Sequence, residues 1–272
     1  MHDVFFFTDI HGMGCLYDTI MNYCLKKDPE CMIIFGGDAC DRGPDGYRIM
    51  KELLTNPQVT YLKGNHEDMF VQAARSIIAH DNDMTILEIP AVYNAIYNGG
   101  WPTLKAWMED GKPVDIINEI DDLPYCCTFE NIDFCHAGGQ YKVFTRIKEA
   151  AYNDEYITKD DETHILWDRN YIGFAWAPDR ICIHGHTPTT YLPAKYYCAD
   201  KSLANVHPCA YTGKLDDRLT GRKIDMDTGA CASGRAYVLN CLTLQAIGFQ
   251  DTEFMQDEIR NHDVKQIEVI QF

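Results

Sequence analysis

No stretch of this chain approaches the about 18 consecutive apolar residues that a membrane-spanning helix requires. The opening residues, Met1-His2-Asp3-Val4-Phe5-Phe6-Phe7, lack the cationic start and long apolar run of a secretory signal, and acidic Asp9 follows at once. The expectation is a soluble, cytoplasmic protein. No Cys-x-x-Cys pair occurs among the 12 cysteines, which removes the spacing of zinc ribbons and dithiol redox motifs. Cys24, Cys31, Cys135, Cys182 and Cys241 fall inside apolar patterns and read as reduced, small core residues, and Cys40 reads as a packing residue. Clusters of Lys and Arg are also missing: 24 basic residues face 41 acidic ones, for a net charge of -17. A phosphate backbone attracts basic patches, so nucleic acid is a poor default partner. No linker-like break, internal repeat or low-complexity tract divides the sequence. Residues 1–272 are expected to form a single domain, with ample apolar content (46%) for a core.

What the chain does have is five short segments rich in oxygen and nitrogen donors beside glycine. They are Asp9-Ile10-His11-Gly12, Gly37-Asp38-Ala39-Cys40-Asp41-Arg42-Gly43, Gly64-Asn65-His66-Glu67, His136-Ala137-Gly138 and Gly185-His186-Thr187. Four of the five follow a short apolar run. Strands are expected at 4–8, 31–35 and 59–62, alternating with helices that carry Leu16, Ile20 and Cys24, then 47–54, then 69–78. This β-α-β-α-β-α order implies a sheet covered by helices, with function at the carboxyl ends of its strands. The stretch 91–122, with Trp101 and Trp107, reads as helical packing or a cleft wall. Beyond residue 124 come short apolar runs at 126–129, 132–135, 181–183, 235–239 and 244–248, which imply a second, more antiparallel sheet. The fold class expected is α/β (α+β): two mixed sheets face to face with helices outside, a four-layer αββα sandwich. Residues 189–222, rich in Tyr, Lys and Asp, show no periodicity and read as a long loop.

The donor segments suit a dinuclear metal site for phosphate ester hydrolysis. Asp9 and His11 end one strand two residues apart, and Gly12 lets the chain turn sharply away. Asp38 ends the next strand and can bridge two metals with its two oxygens. Asn65 contributes a carbonyl oxygen, and His136 and His186 contribute imidazole nitrogens. This O/N set without thiolate suits two divalent ions, Mn²⁺ first, with Fe or Zn²⁺ also fitting, better than Ca²⁺. Two metals about 3.5–4 Å apart can hold phosphate oxygens and activate water for in-line attack. His66 fits the general acid and Asp41 the group that fixes its tautomer. Arg42 can fork onto phosphoryl oxygens; Asn65 and Arg169 join it against the substrate. An acidic chain can thereby hold a phosphorylated substrate, because the ions and arginines make the local field positive. Taken singly, each histidine is more simply a satisfied structural residue; five such segments in order are not. His184 falls on the other strand phase. His2, His80, His164, His207 and His262 read as surface or structural. Asp225 and Asp227 read as structural first, in a loop that edges the cleft at most.

At these residues the chain resembles the metallophosphoesterase superfamily and, more narrowly, the phosphoprotein phosphatases: the bacterial and phage serine/threonine phosphatases, with the diadenosine tetraphosphate hydrolases close to them. The family pattern matches from residue 8 to 188, and Asn98-Gly99-Gly100 and Ile224-Asp225-Met226-Asp227-Thr228-Gly229-Ala230 also look like family segments. The resemblance implies the αββα fold, Asp9, His11 and Asp38 on one metal, and Asp38, Asn65, His136 and His186 on the other. It implies His66 with Asp41 as the acid pair and Arg42 and Arg169 on phosphate. Two departures stand out. Thr8 replaces the usual glycine before Asp9, and Pro188 follows Gly-His-Thr where the wider superfamily often has another histidine, which favours the phosphatase branch. The expected activity is hydrolysis of phosphoserine and phosphothreonine in proteins or peptides. The alternative is a dinucleoside polyphosphate or another small phosphorylated metabolite, for which Tyr191, Tyr196 and Tyr197 could stack a base, although they could equally line a peptide groove. A non-catalytic binding module is disfavoured, because both ligand sets and the acid pair are intact.

Overall fold

The computed structural model describes residues 2–80, 88–170, 174–192, 206–212, 222–254 and 262–272. The first sheet contains β1 (Val4–Phe7), β2 (Met32–Phe35), β3 (Val59–Tyr61), β9 (Arg235–Asn240), β10 (Gln245–Asp251) and β11 (Val264–Gln271), in the order β11-β10-β9-β1-β2-β3. β1, β2 and β3 are parallel, whereas β9, β10 and β11 add antiparallel strands. The second sheet runs β4-β5-β6-β8-β7 and contains β4 (Cys126–Phe129), β5 (Ile132–Cys135), β6 (Ile181–His184), β7 (Cys209–Thr212) and β8 (Arg222–Asp225). Its three central strands are parallel and its two edges antiparallel.

Strand alternation builds the layers. In β1, Phe5 and Phe7 enter the core beneath the first sheet's helices, while Val4 and Phe6 enter the core between the sheets. Phe6 stacks on Phe134 of β5 across that interface, ring centroids 5.4 Å apart. In β6, Ile181 and Ile183 face the first sheet, while Cys182 joins Cys135 in a third core with Phe144, Ile165 and Trp176. Three cores separate four layers. Strands buried on both faces are continuous apolar runs, as in parallel sheets covered by helices.

On the outer face of the first sheet lie α1 (Gly14–Lys27), α2 (Gly46–Thr55) and α3 (Asn65–Ala79). The stretch expected to be helical is three helices: α4 (Pro90–Tyr97), α5 (Trp101–Glu109) and α6 (Val114–Asp121). Two helices lie against the second sheet: α7 (Tyr141–Tyr152) and α8 (Lys159–Trp167). The short α9 (Ala230–Ser233) follows the Asp-Thr-Gly turn. Among the described residues no helix is long and apolar enough to cross a membrane.

The structure also differs from sequence expectation in places. α7 and α8 carry few buried apolar side chains, and α8 is announced instead by Thr158, whose Oγ1 accepts from the Asp161 amide. β11 buries in a three-residue rhythm rather than alternating, and a register shift against β10 between Ile247 and Phe249 accounts for the lost period. Part of 189–222 is regular, since it contains edge strand β7 and the first residue of β8. Tyr196 and Tyr197 lie outside the described residues.

Candidate metal centre

β1 and β2 end side by side, and their ladder continues into the turns beyond. Asp9 N–H donates to Gly37 O (3.0 Å), His11 N–H to Asp38 O (3.0 Å) and Gly12 N–H to Ala39 O (2.8 Å). These turns hold side chains in the left-handed region: Asp9, His11, Asp38, Asp41, Arg42 and, after β6, His186 are six of the ten described non-glycine residues with positive φ. Such conformations cost about 1 kcal/mol or more each and persist only where neighbours over-determine them. Gly12 turns away at φ 69°, where a Cβ would sit 2.6 Å from Gly43 O. Gly185 lies so close to the Asp9 carboxylate that any side chain there would collide with it.

Several of these donors lie close together. His11, Asp38 and His66 bring ligand atoms within 4.8 Å of one another, and so do Asp38, His136 and His186. Asp38 is common to both groups. His11 Nε2 stands 3.6 Å from Asp38 Oδ2, and His136 Nε2 3.4 Å from Asp38 Oδ1. Asn65 Oδ1 lies 2.9 Å from His136 Nε2 and 2.8 Å from His186 Nδ1. Asp9 is placed differently. It is buried at the centre but outside both compact groups, its carboxylate accepting from the His186 amide and from the Thr8 hydroxyl (2.6 Å).

Two histidines are oriented as metal ligands are, with the far ring nitrogen fixed on a backbone carbonyl. His11 Nδ1 donates to Cys40 O (3.0 Å) and His136 Nδ1 to Gly36 O (2.9 Å). Electrostatics fit the same reading. Burial, then Asp227 and Asp38, push the Asp9 carboxyl well above the usual carboxylate range. Burial opposes ionisation of Asp38 as well, but His136, His66 and His11 hold its carboxyl well below that range. Burial works against a charged His136, yet Asp38 and Asp9 push it up to about 10. Burial, His66 and Arg42 lower His11, and burial, His136 and Arg169 lower His186, leaving both rings neutral and able to ligate. Buried acids crowded together, beside two imidazoles held neutral and a third, His136, raised by those acids, are the surroundings a divalent cation relieves.

Beside this cluster, His66 Nδ1 lies 2.7 Å from Asp41 Oδ2, and Arg42 Nη2 donates to His66 Nε2 (3.1 Å). The helix expected from residue 69 begins at Asn65, so Asn65 and His66 occupy its first turn. The stretch of α4 and α5 helps to hold the turn: Gly99 O accepts from Arg42 N–H, and Thr103 Oγ1 accepts from Asp41 N–H. Arg42 is exposed towards solvent, and Arg169, also exposed, donates from Nη2 to His186 O (3.1 Å).

Glu67 stands in the Gly64-Asn65-His66-Glu67 motif, where the sequence alone assigns it no role. Fully buried, it accepts from the amides of Asp38, Ala39 and Gly64 and from Tyr61 Oη, each at 2.8 Å. A Glu three residues after a helix cap was a readable signal. Asp227 is a second residue undervalued by sequence. It is buried, its burial raises its carboxyl to about 6, and its field reaches Asp9. His184 points away as expected, buried and lowered to about 3 by burial and Lys223. His2 and His80 are exposed, whereas His262 packs on Asp251.

The fold and these donors together define a metal-dependent phosphoesterase. The chain belongs to the calcineurin-like phosphoesterase family, whose sequence pattern matches residues 2–214. The family implies a divalent metal centre, and the Asp and His groups here fit one. No curated protein sequence matches the chain. Among solved structures, a cold-active protein tyrosine phosphatase is similar at TM-score 0.51 and 13% identity, covering 98% of this chain and 79% of that one. A candidate diadenosine tetraphosphatase is similar at TM-score 0.49 and 11% identity, covering 98% and 93%. A protein serine/threonine phosphatase from Saccharomyces cerevisiae is similar at TM-score 0.47 and 13% identity, covering 100% and 81%. At 13% identity the likeness to the tyrosine phosphatase speaks to fold alone.

Proposed function

We propose that the protein is a phosphomonoesterase acting on phosphoserine and phosphothreonine in proteins or peptides, with all 272 residues serving one catalytic domain. In this reading Asp9, His11 and Asp38 hold one divalent ion, and Asp38, Asn65, His136 and His186 hold the other, with Mn²⁺ the expected metal. When bound, the ions supply Lewis acidity and an activated water. The protein's own groups do the rest. Arg42, exposed at the edge of the centre, grips two phosphoryl oxygens with its fork, and Arg169 approaches from the His186 side. Asn65, whose Oδ1 meets His136 and His186 of the second group, faces the substrate as well. His66 delivers a proton from Nε2 to the leaving alkoxide while Asp41 keeps Nδ1 protonated and the ring in place. In the resting structure Arg42 Nη2 lies 3.1 Å from His66 Nε2, so Arg42 turns from His66 to phosphate before Nε2 faces the leaving group.

The observation that carries the reading is this Arg42–His66–Asp41 array, which meets the first of two donor groups that share Asp38 at His66. The rim also suits an extended chain: Tyr93, Tyr97 and Trp101 are exposed on the α4–α5 segment that braces Arg42, and Trp167, its ring near His186, is exposed on the other side. Exposed Tyr191 favours the second reading, in which a base stacks there. The test is metal-stripped protein re-supplied with Mn²⁺ and given a phosphothreonine peptide and diadenosine tetraphosphate side by side. Metal-dependent phosphate release from the peptide is expected. Faster turnover of the nucleotide overturns the peptide reading in favour of the second.

A further inference from the structure

A third convergence of metal-binding side chains shares no residue with the phosphoester centre. Cys15 lies in the first turn of α1, Asp251 ends β10, and His262 stands just before β11. The Cys15 Sγ, a His262 ring nitrogen and an Asp251 carboxylate oxygen all lie within 4.8 Å of one another. His262 and Asp251 side chains are only 9% and 3% exposed, and His262 Nδ1 is 2.6 Å from Asp251 Oδ2. Backbone bonds aim the carboxylate: Asp251 N–H donates to Gly234 O, and Glu253 N–H donates to Asp251 Oδ1 (2.8 Å).

A thiol, an imidazole and a carboxylate suggest two readings. In a nucleophile–base–orienter relay the imidazole stands between the other two groups, and the carboxylate is kept away from the thiol. Here the three atoms form a compact triangle in which sulfur and carboxylate are also neighbours. That shape suits three ligands around one ion. Sulfur, nitrogen and oxygen donors in one site suit zinc and its borderline-soft neighbours rather than magnesium or calcium. The close His262–Asp251 pair holds a proton between two ligand atoms, which a cation would displace together with the thiol proton.

We propose that Cys15, Asp251 and His262 bind one zinc-class divalent cation, apart from the phosphoester centre. The ion joins the start of α1, which follows directly on the His11–Gly12 turn, to the far end of β10 and the approach to β11. It is therefore a structural cross-link between the segment carrying Asp9 and His11 and the sheet's other edge.

The test uses the full chain, metal-stripped and titrated with Co²⁺. Only a cysteine ligand gives a thiolate-to-cobalt charge-transfer band in the near ultraviolet, and the phosphoester centre has oxygen and nitrogen donors. At saturation with Co²⁺ the band should appear with the intensity of one thiolate-bound ion per chain. Cys15→Ser should abolish it and lower bound cobalt by one equivalent, and His262→Ala should weaken that equivalent by about 10–100-fold or more. Absence of the band in the unaltered protein, or its survival in Cys15→Ser, overturns the proposal. A second measurement avoids dependence on how variants fold: Zn²⁺ should protect Cys15 of the unaltered protein from alkylation, mapped by peptide mass spectrometry. Equal alkylation with and without Zn²⁺ also overturns it.

Discussion

The two halves of the metal centre are held in different ways. On the first sheet's side, Asp9, His11, Asp38, Asp41 and Arg42 stand in left-handed turns locked by the bonds between the β1 and β2 ends. Glu67 then ties the Asp38 turn to the start of α3 with three amide acceptances. On the second sheet's side, His136 and His186 follow the ends of β5 and β6, which Gly185 N–H joins by donating to His136 O; His186 alone is left-handed, and both residues are also fixed from across the gap. His136 leans on Gly36 O, and the His186 amide donates to Asp9. The first half is a frame strained into shape by many bonds, and the second docks against it. A left-handed Asp is kept only where enough bonds outweigh its cost, so the frame's rigidity is what lets Asp38 face both donor groups.

Four substitutions sharpen or break this contrast. Asp38→Asn strikes both halves at once. It should lower Mn²⁺-dependent hydrolysis of a phosphothreonine peptide by about 10³-fold or more, since metal Lewis acidity supplies several kcal/mol at about 1.4 kcal/mol per decade. Elemental analysis should show both ions weakened, and loss of one ion alone would deny that Asp38 is shared. His66→Asn belongs to the frame but not to a ligand set in our reading. It should lower turnover by roughly 10²–10⁴-fold while metal content stays at the unaltered level; full activity would refute its role as the acid.

Glu67→Ala tests the frame itself. Buried amides without acceptors cost about 1–3 kcal/mol each, so a loss of about 3 kcal/mol is expected as a lower urea midpoint at unchanged slope. A neutral result would mean the turns hold without it. Thr8→Val is the mildest, removing only the hydroxyl that donates to Asp9. That carboxyl is already hard to ionise, chiefly through burial, and becomes harder. Mn²⁺ affinity should fall by about fivefold, roughly 1 kcal/mol. Because the proton competes with the metal, the deficit should shrink as pH rises through the raised carboxyl range; calorimetric titrations at neutral and mildly alkaline pH check this.

Much of this centre was legible in the chain. Asp9, His11, Asp38, Asn65, His136 and His186 were read from short donor segments after apolar runs, and the structure brings all six to one buried place. The apolar runs themselves told of strands covered on both faces, and Phe5, Phe6 and Phe7 enter cores on alternate sides. Less was legible where burial is one-sided or sparse. α7 and β11 show too few regular apolar positions for a period to stand out. Asp227 looked like part of a strand end, because nothing local says that its chain passes beside Asp9.

The sequence by itself determined the donor set, the parallel strand ends that carry it and the family to which the chain belongs, because these are written in neighbouring residues. Tertiary structure alone decided that Asp38 sits in both donor groups, that Glu67 locks the Asp38 and Ala39 amides and that Asp9 turns to the His186 amide. It alone set Cys15, Asp251 and His262 in one triangle. Each of these joins residues far apart in the chain, and only the register of two sheets and the packing of their helices fixes distances between such residues.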